Sequence, residues 1–220
     1  MASAGRRTFS VILAIIIIAV LGLGGYLAYK YISDFLIQKE ASDIVDEFEN
    51  SIIVVAVEDE QTNQETVVEN TVGTPTSSGT TTKKSSGVRY QGYNVIGTIQ
   101  IPKTGVKYPI VDDTTPAAMD RAIVFLYGPG LNKVGNNVIV GHNYRSGGLF
   151  GSNRRLVNGD KIYITDSSGT KVEYSVYRKY ETSDADFSYA TRNTNGKREI
   201  SLSTCTSNAS TRLIIWAREQ

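Results

Sequence analysis

The hydrophobic residues of this chain follow three different patterns. Phe9 to Tyr29 is an unbroken run of 21 uncharged, mostly apolar positions, FSVILAIIIIAVLGLGGYLAY. About 20 such residues cross a bilayer as a helix. Arg6 and Arg7 precede the run, which keeps the N-terminus in the cytoplasm and sends the rest of the chain outside. A cleaved signal peptide is the competing reading, but the apolar run is long for one and no A-x-A-like site follows closely. Over residues 30–57 the apolar positions thin out. Ile32, Phe35, Leu36, Ile44, Val45 and Phe48 fall at helical spacing and predict a juxtamembrane helix. Ile52 to Val57 either ends that helix or forms a short strand. From Glu58 to Gly87 the chain turns to Thr, Ser, Gly and acid with almost no large apolar groups. Such a segment buries too little surface to offset its chain entropy, and it reads as a flexible spacer. The expected organisation is a cytoplasmic tip and membrane anchor over 1–29, a juxtamembrane helix and stalk over 30–87, and a folded domain over 88–220.

The third pattern fills that domain. Short β-type runs alternate with Gly, Asn, Asp and Pro. The predicted strands are Val95–Ile101, Lys107–Val111, Asn137–Val140, Lys161–Thr165, Lys171–Tyr180, Glu199–Ser203 and Arg212–Ala217. Asp166-Ser167-Ser168-Gly169 is a hairpin turn signal. Pro116–Ile123 is the best short helix, with Thr115 as N-cap before a first-turn Pro. Many short strands with one or two short helices predict a mainly β fold closed into a barrel.

Charge changes this picture little. The net charge of +1 hides ten acidic residues and no Lys or Arg over 40–70. Residues 88–220 carry 17 Lys+Arg against 11 Asp+Glu, so 17 − 11 = +6. The surplus is scattered, without a basic stripe interleaved with aromatics, so nucleic acid is not an expected partner. The acidic pairs Asp112/Asp113 and Asp184/Asp186 leave calcium as a remote option, and no cofactor is expected.

Cysteine and histidine usage changes more. The chain has one Cys and one His, which precludes an intrachain disulfide and a Cys/His zinc site. A lone Cys in an exported protein is an intermolecular half-cystine, a buried filler or a reactive thiol. In EISLSTC, Ile200, Leu202 and Thr204 share one face of a strand, while Ser201, Ser203 and Cys205 share the other. A filler belongs with Ile200 and Leu202, so the phase favours an accessible Cys205. A short connection, Thr206–Ser210, leads to the next strand and favours antiparallel pairing that sets Arg212 beside Cys205. His142 follows an apolar strand in NNVIVGHNYRSGG and precedes a polar, Gly-rich loop, which makes it accessible. Cys–His chemistry requires the two to meet in space. No Asp or Asn can be assigned to them as a third partner.

The combination of Gly141-His142, Leu202-Ser203-Thr204-Cys205 and Arg212 resembles the sortase family. Ile99-Gln100-Ile101-Pro102 with Gly105-Val106, and Gly159-Asp160, extend the resemblance over roughly residues 93–217. GHNYR and LSTC are similar to class B members, whereas the short connection before the Cys strand is similar to class D. The resemblance implies a sortase-type β-barrel and an extracytoplasmic cysteine transpeptidase. The expected substrates are secreted proteins with a C-terminal LPxTG-like sorting signal. The expected acceptor is an amine of a peptidoglycan precursor or a pilin. It implies Cys205 as nucleophile, His142 as acid/base and Arg212 as donor to the oxyanion or the substrate backbone. It further implies Thr204 and Ser203 at the substrate and the 181–198 loop in signal recognition. A cysteine hydrolase using the same residues and a non-catalytic surface β-domain are the rival readings.

Overall fold

A computed structural model describes residues 2–62, 87–207 and 210–220. The chain divides into two compact units, Met1–Glu40 and Ala41–Gln220. Helix α1 (Ala2–Thr62) contributes to both. Ile52–Val57 is therefore helical rather than a strand, and the helix enters the acidic start of the expected spacer. Residues 63–86, the remainder of that spacer, lie outside the described residues. Within the first unit Ile15, Ile18, Leu21, Leu23 and Leu27 are exposed. Among the described residues α1 is the one helix long and apolar enough to cross a membrane.

The expected apolar stripe of the juxtamembrane helix divides at Glu40. Ile32, Phe35 and Leu36 are exposed. In the second unit Ala41, Val45 and Phe48 are fully buried at successive turns, and Ala41 and Phe48 join the main barrel core. Burying a Phe side chain contributes roughly 1.5–3 kcal/mol. Beside this stripe, Glu49 Oε1 accepts from Thr98 Oγ1 (3.1 Å), Gln100 Nε2 (3.2 Å) and Thr165 Oγ1 (3.3 Å). The compact unit thus includes residues 41–52, upstream of the boundary near Val88 expected from composition.

The strands are β1 (Arg89–Tyr90), β2 (Tyr93–Ile101), β3 (Val106–Val111), β4 (Ile123–Tyr127), β5 (Gly135–Val140), β6 (Lys161–Asp166), β7 (Lys171–Ser183), β8 (Arg198–Cys205) and β9 (Thr211–Glu219). They run in the order β1-β2-β3-β4-β5-β8-β9-β7-β6, and β2 also pairs with β6, which closes β2 to β9 into a barrel. The mainly β, closed-barrel expectation matches this architecture. In β7, Val172, Tyr174 and Val176 are buried and alternate with the more exposed Lys171, Glu173 and Ser175, the period of a half-buried strand. Asp166 Oδ1 organises the β6–β7 hairpin by accepting from the backbone N–H of Ser168 (2.9 Å) and Thr170 (3.2 Å).

The predicted helix Pro116–Ile123 is shorter in the structure. α2 spans Pro116–Met119, capped by Thr115 Oγ1, which accepts from the Ala118 N–H at 3.3 Å. Ile123 instead opens β4, paired with Ile110 of β3. IVFLY is a short apolar run whose periodicity does not separate strand from helix. Pairing with β3 and β5 decides in favour of the strand.

Candidate functional site

The ends of β5, β8 and β9 position the candidate residues. β5 and β8 are parallel, with Val140 opposite Ser203. β8 and β9 are antiparallel, with Ser201 opposite Trp216, Ser203 opposite Ile214 and Cys205 opposite Arg212. The antiparallel placement expected from the short connection is present; Asn208 and Ala209 within it lie outside the described residues. Leu213, Ile215 and Ala217 point into the main core, and Ile214 belongs to a second apolar cluster with Val138, Tyr189 and Ala190. Arg212 shares the phase of Ile214 and therefore leaves the core on the side of Ser203 and Cys205. Its Nη1 donates directly to Cys205 Sγ.

β8 is less one-sided than its pattern predicts. Ser201 is fully buried, donating to Asn136 Oδ1 at 2.9 Å, and Ser203 is also buried. Residues 184–197, between β7 and β8, cover this face. Asn136 Nδ2 donates to the carbonyls of Tyr189 (2.8 Å) and Ala190 (2.9 Å), and its Oδ1 also accepts from Arg192 Nη2 at 3.0 Å. Arg192 Nη1 pairs with Glu199, and the guanidinium lies 4.4 Å from the Trp216 ring centre. Buried polar groups that satisfy one another fix a loop without a helix of its own.

His142 follows β5 directly. The Gly141 N–H reaches the Ser203 carbonyl at 3.3 Å, and the Phe150 N–H donates to the His142 carbonyl at 3.0 Å. A Cβ at Gly141 would stand 3.0 Å from the Phe150 ring, so this close approach favours glycine. His142 Nε2 lies 2.8 Å from Asp120 Oδ1, just past the end of α2. An ionised carboxylate only accepts, so Nε2 carries the proton in this pair and Nδ1 is left for other chemistry. Tyr144 OH donates to the Asp120 carbonyl, and its ring lies 5.5 Å from the His142 ring. Asp120 is the residue that sequence reasoning missed. It stands 22 positions from His142, and no local pattern marked it within the predicted helix Pro116–Ile123.

These residues line one cleft of about 460 Å³. Cys205, Arg212, His142, Ser203 and Thr204 all border it. Its apolar wall comes from Met119, Leu126, Val140, Phe187 and Tyr189. Thr204 is buried, and its hydroxyl has no hydrogen-bond partner among the described residues. The structure thus brings all five sequence-predicted site residues to one cleft. A thiol beside a fixed guanidinium and near an imidazole suits nucleophilic attack on a carbonyl, with donors for the charge that develops. Among the described residues no group of three or more His, Cys, Asp or Glu could hold a metal ion. Asp113 and Asp186 instead accept the N–H of Thr115 and Ser188 in local turns.

Comparison with known proteins identifies the family of this fold. The sortase domain family model matches residues 99–220. Among solved structures, a lid mutant of sortase A from Corynebacterium diphtheriae is 28% identical with a TM-score of 0.52, covering 57% of this chain and 70% of that one. The pilus-related sortase C of Group B Streptococcus is 26% identical with a TM-score of 0.52, covering 57% and 67%. A sortase D5 transpeptidase of Clostridium perfringens shares the fold at 21% identity and a TM-score of 0.58, covering 84% and 98%. Comparison with curated proteins returns no match. With more than half of its length matched by the family model, and its lone thiol paired to an arginine on a closed β-barrel, the chain belongs to the sortase family of cysteine transpeptidases.

Proposed function

We propose that this transpeptidase cleaves an LPxTG-like sorting signal near the C-terminus of secreted proteins and transfers them to an amine of a peptidoglycan precursor or a pilin. Cys205 attacks the threonine carbonyl of the signal, and the peptide bond breaks to leave a thioester. His142 protonates the departing amine and later takes the proton of the incoming one. Arg212 donates to the oxyanion or to the substrate backbone, with Thr204 and Ser203 against the bound signal. Residues 9–29 anchor the chain in the membrane with the N-terminus cytoplasmic, and the catalytic domain over 88–220 faces outward. The observation that carries this reading is the pairing of Arg212 with Cys205 on the floor of an apolar cleft that His142 also borders. Of the two subclass resemblances, class D is favoured, because residues 184–197 form turns and no helix.

The test is a panel of labelled sorting-signal peptides incubated with the full chain, with and without an amine acceptor. A covalent peptide adduct on Cys205 and an acceptor-dependent ligation product are expected. Hydrolysis alone in both arms would leave the hydrolase reading. Absence of any Cys205-dependent cleavage across the panel would overturn both.

A further inference from the structure

A second cleft, of about 370 Å³, also reaches the thiol. Cys205 and Thr204 border both clefts, and the neighbouring residues sort between them. His142 lines the first and Asn143 the second; Arg212 lines the first and Leu213 the second. Successive residues of an extended chain face opposite sides, so the two clefts lie on the two faces of the β8–β9 end. Cys205, at the tip of β8, is open to both.

Their chemistry differs. The first cleft has the apolar wall described above. The second is bordered by Asn143, Arg145, Arg154 and Thr206, with no Asp or Glu among its lining residues. Arg145 pairs with no carboxylate among the described residues, and Arg154 Nη1 meets only the exposed Glu181 Oε1, at 3.2 Å. The backbone beneath Arg154 is held firmly. Lys179 Nζ donates to the carbonyls of Arg154 (2.9 Å) and Leu156 (2.7 Å). A doubly basic cleft with no carboxylate in its lining is suited to an anion of carboxylate geometry, which an arginine fork binds by two parallel hydrogen bonds.

We infer that the second cleft is the acceptor site and that Arg145 and Arg154 select an amine acceptor that also carries a carboxylate. This rests on the acyl-enzyme reading above. Once the signal occupies the first cleft as a thioester, the second is the remaining open approach to the reacting carbon. The acceptor nitrogen attacks that carbon, the C–N bond forms, the C–S bond breaks, and the thiolate returns to Cys205. The amine proton passes to His142, which borders the first cleft together with Cys205.

The test uses the full chain in detergent micelles and any panel peptide that it cleaves. Triglycine is compared with triglycinamide, and Nα-acetyl-lysine with its amide, by the ratio of ligation to hydrolysis from the same acyl-enzyme. The carboxylate members are expected to show about a tenfold lower acceptor KM, a typical charge-assisted difference. Arg145→Ala and Arg154→Ala should each reduce that preference, and Arg145→Glu should reverse it. In the wild type the preference should also shrink as salt is raised, which needs no variant. Equal KM values within both pairs, or a preference that neither salt nor substitution alters, would overturn the inference while leaving the acyl-enzyme intact. Failure of cleavage itself would instead remove the reading beneath it.

Discussion

Replacing Asn136 with alanine isolates the link between the polar network under residues 184–197 and the shape of the cleft. The Asn136 amide gives both its protons to the Tyr189 and Ala190 carbonyls and receives from Ser201 and Arg192. After truncation Ser201 keeps a contact to the Tyr189 carbonyl at 3.3 Å, and Arg192 keeps Glu199 and the Tyr177 hydroxyl. The Ala190 carbonyl and one Arg192 N–H lose their partner. Each buried group left unsatisfied costs about 1–3 kcal/mol, so the expected loss for the two is about 2–6 kcal/mol, a large part of a typical domain's stability. Trp216 is the sole tryptophan and packs against the cluster beneath this loop. Its fluorescence during urea unfolding therefore reports the loss directly. Tyr189 borders the cleft, so the variant should also raise the peptide KM several-fold with a smaller change in kcat. A stability loss below about 1 kcal/mol would refute the claim that this amide pins the loop. A full loss with unchanged KM would show that the loop does not shape the cleft.

Three further outcomes are expected. Arg212→Lys, which keeps the charge but loses the planar fork, should lower kcat by roughly 10²–10³-fold, read by single-turnover acylation; a change under threefold would remove Arg212 from transition-state stabilisation. Asp120→Ala frees the His142 ring and should lower kcat about tenfold with peptide KM unchanged, in the manner of a lost orienting partner; unchanged kcat would make the contact incidental. Burial and the hydrogen bond to Glu199 push the Tyr177 phenol up to about 12, above its unfolded value of about 10. The folded state thus holds this proton more tightly than the unfolded one. The corresponding stability is complete below pH 10 and is lost as pH rises from about 10 towards 12. Urea titrations at pH 9 and pH 11 should show a shallower decline for Tyr177→Phe, and identical slopes would contradict the shift. A residual decline is expected in that variant because burial also raises the Tyr174 phenol.

The sequence by itself determined the elements whose signals are local. The apolar run Phe9–Tyr29, the alternation in β7, the Asp166 turn and the placement of Cys205 at a strand end follow from spacing and turn chemistry within a few residues. A lone thiol, a lone imidazole and a short connection between two strands, together with the resemblance to sortases, were enough to nominate Cys205, His142 and Arg212. Tertiary structure decided what depends on residues distant in the chain. Ile123 is a strand residue because β3 was available to pair with it, and β5 with the residues that follow it. Residues 41–52 belong to the barrel unit because Glu49 meets partners 49 or more positions away and Phe48 joins the barrel core. Closure of the barrel around the main core sent Leu213 inward and Arg212 to the thiol. Asp120 reaches His142, and a second cleft opens beside Cys205, for the same physical reason. Side-chain spacing encodes which face of an element is buried, but only the packing of elements fixes what stands opposite it.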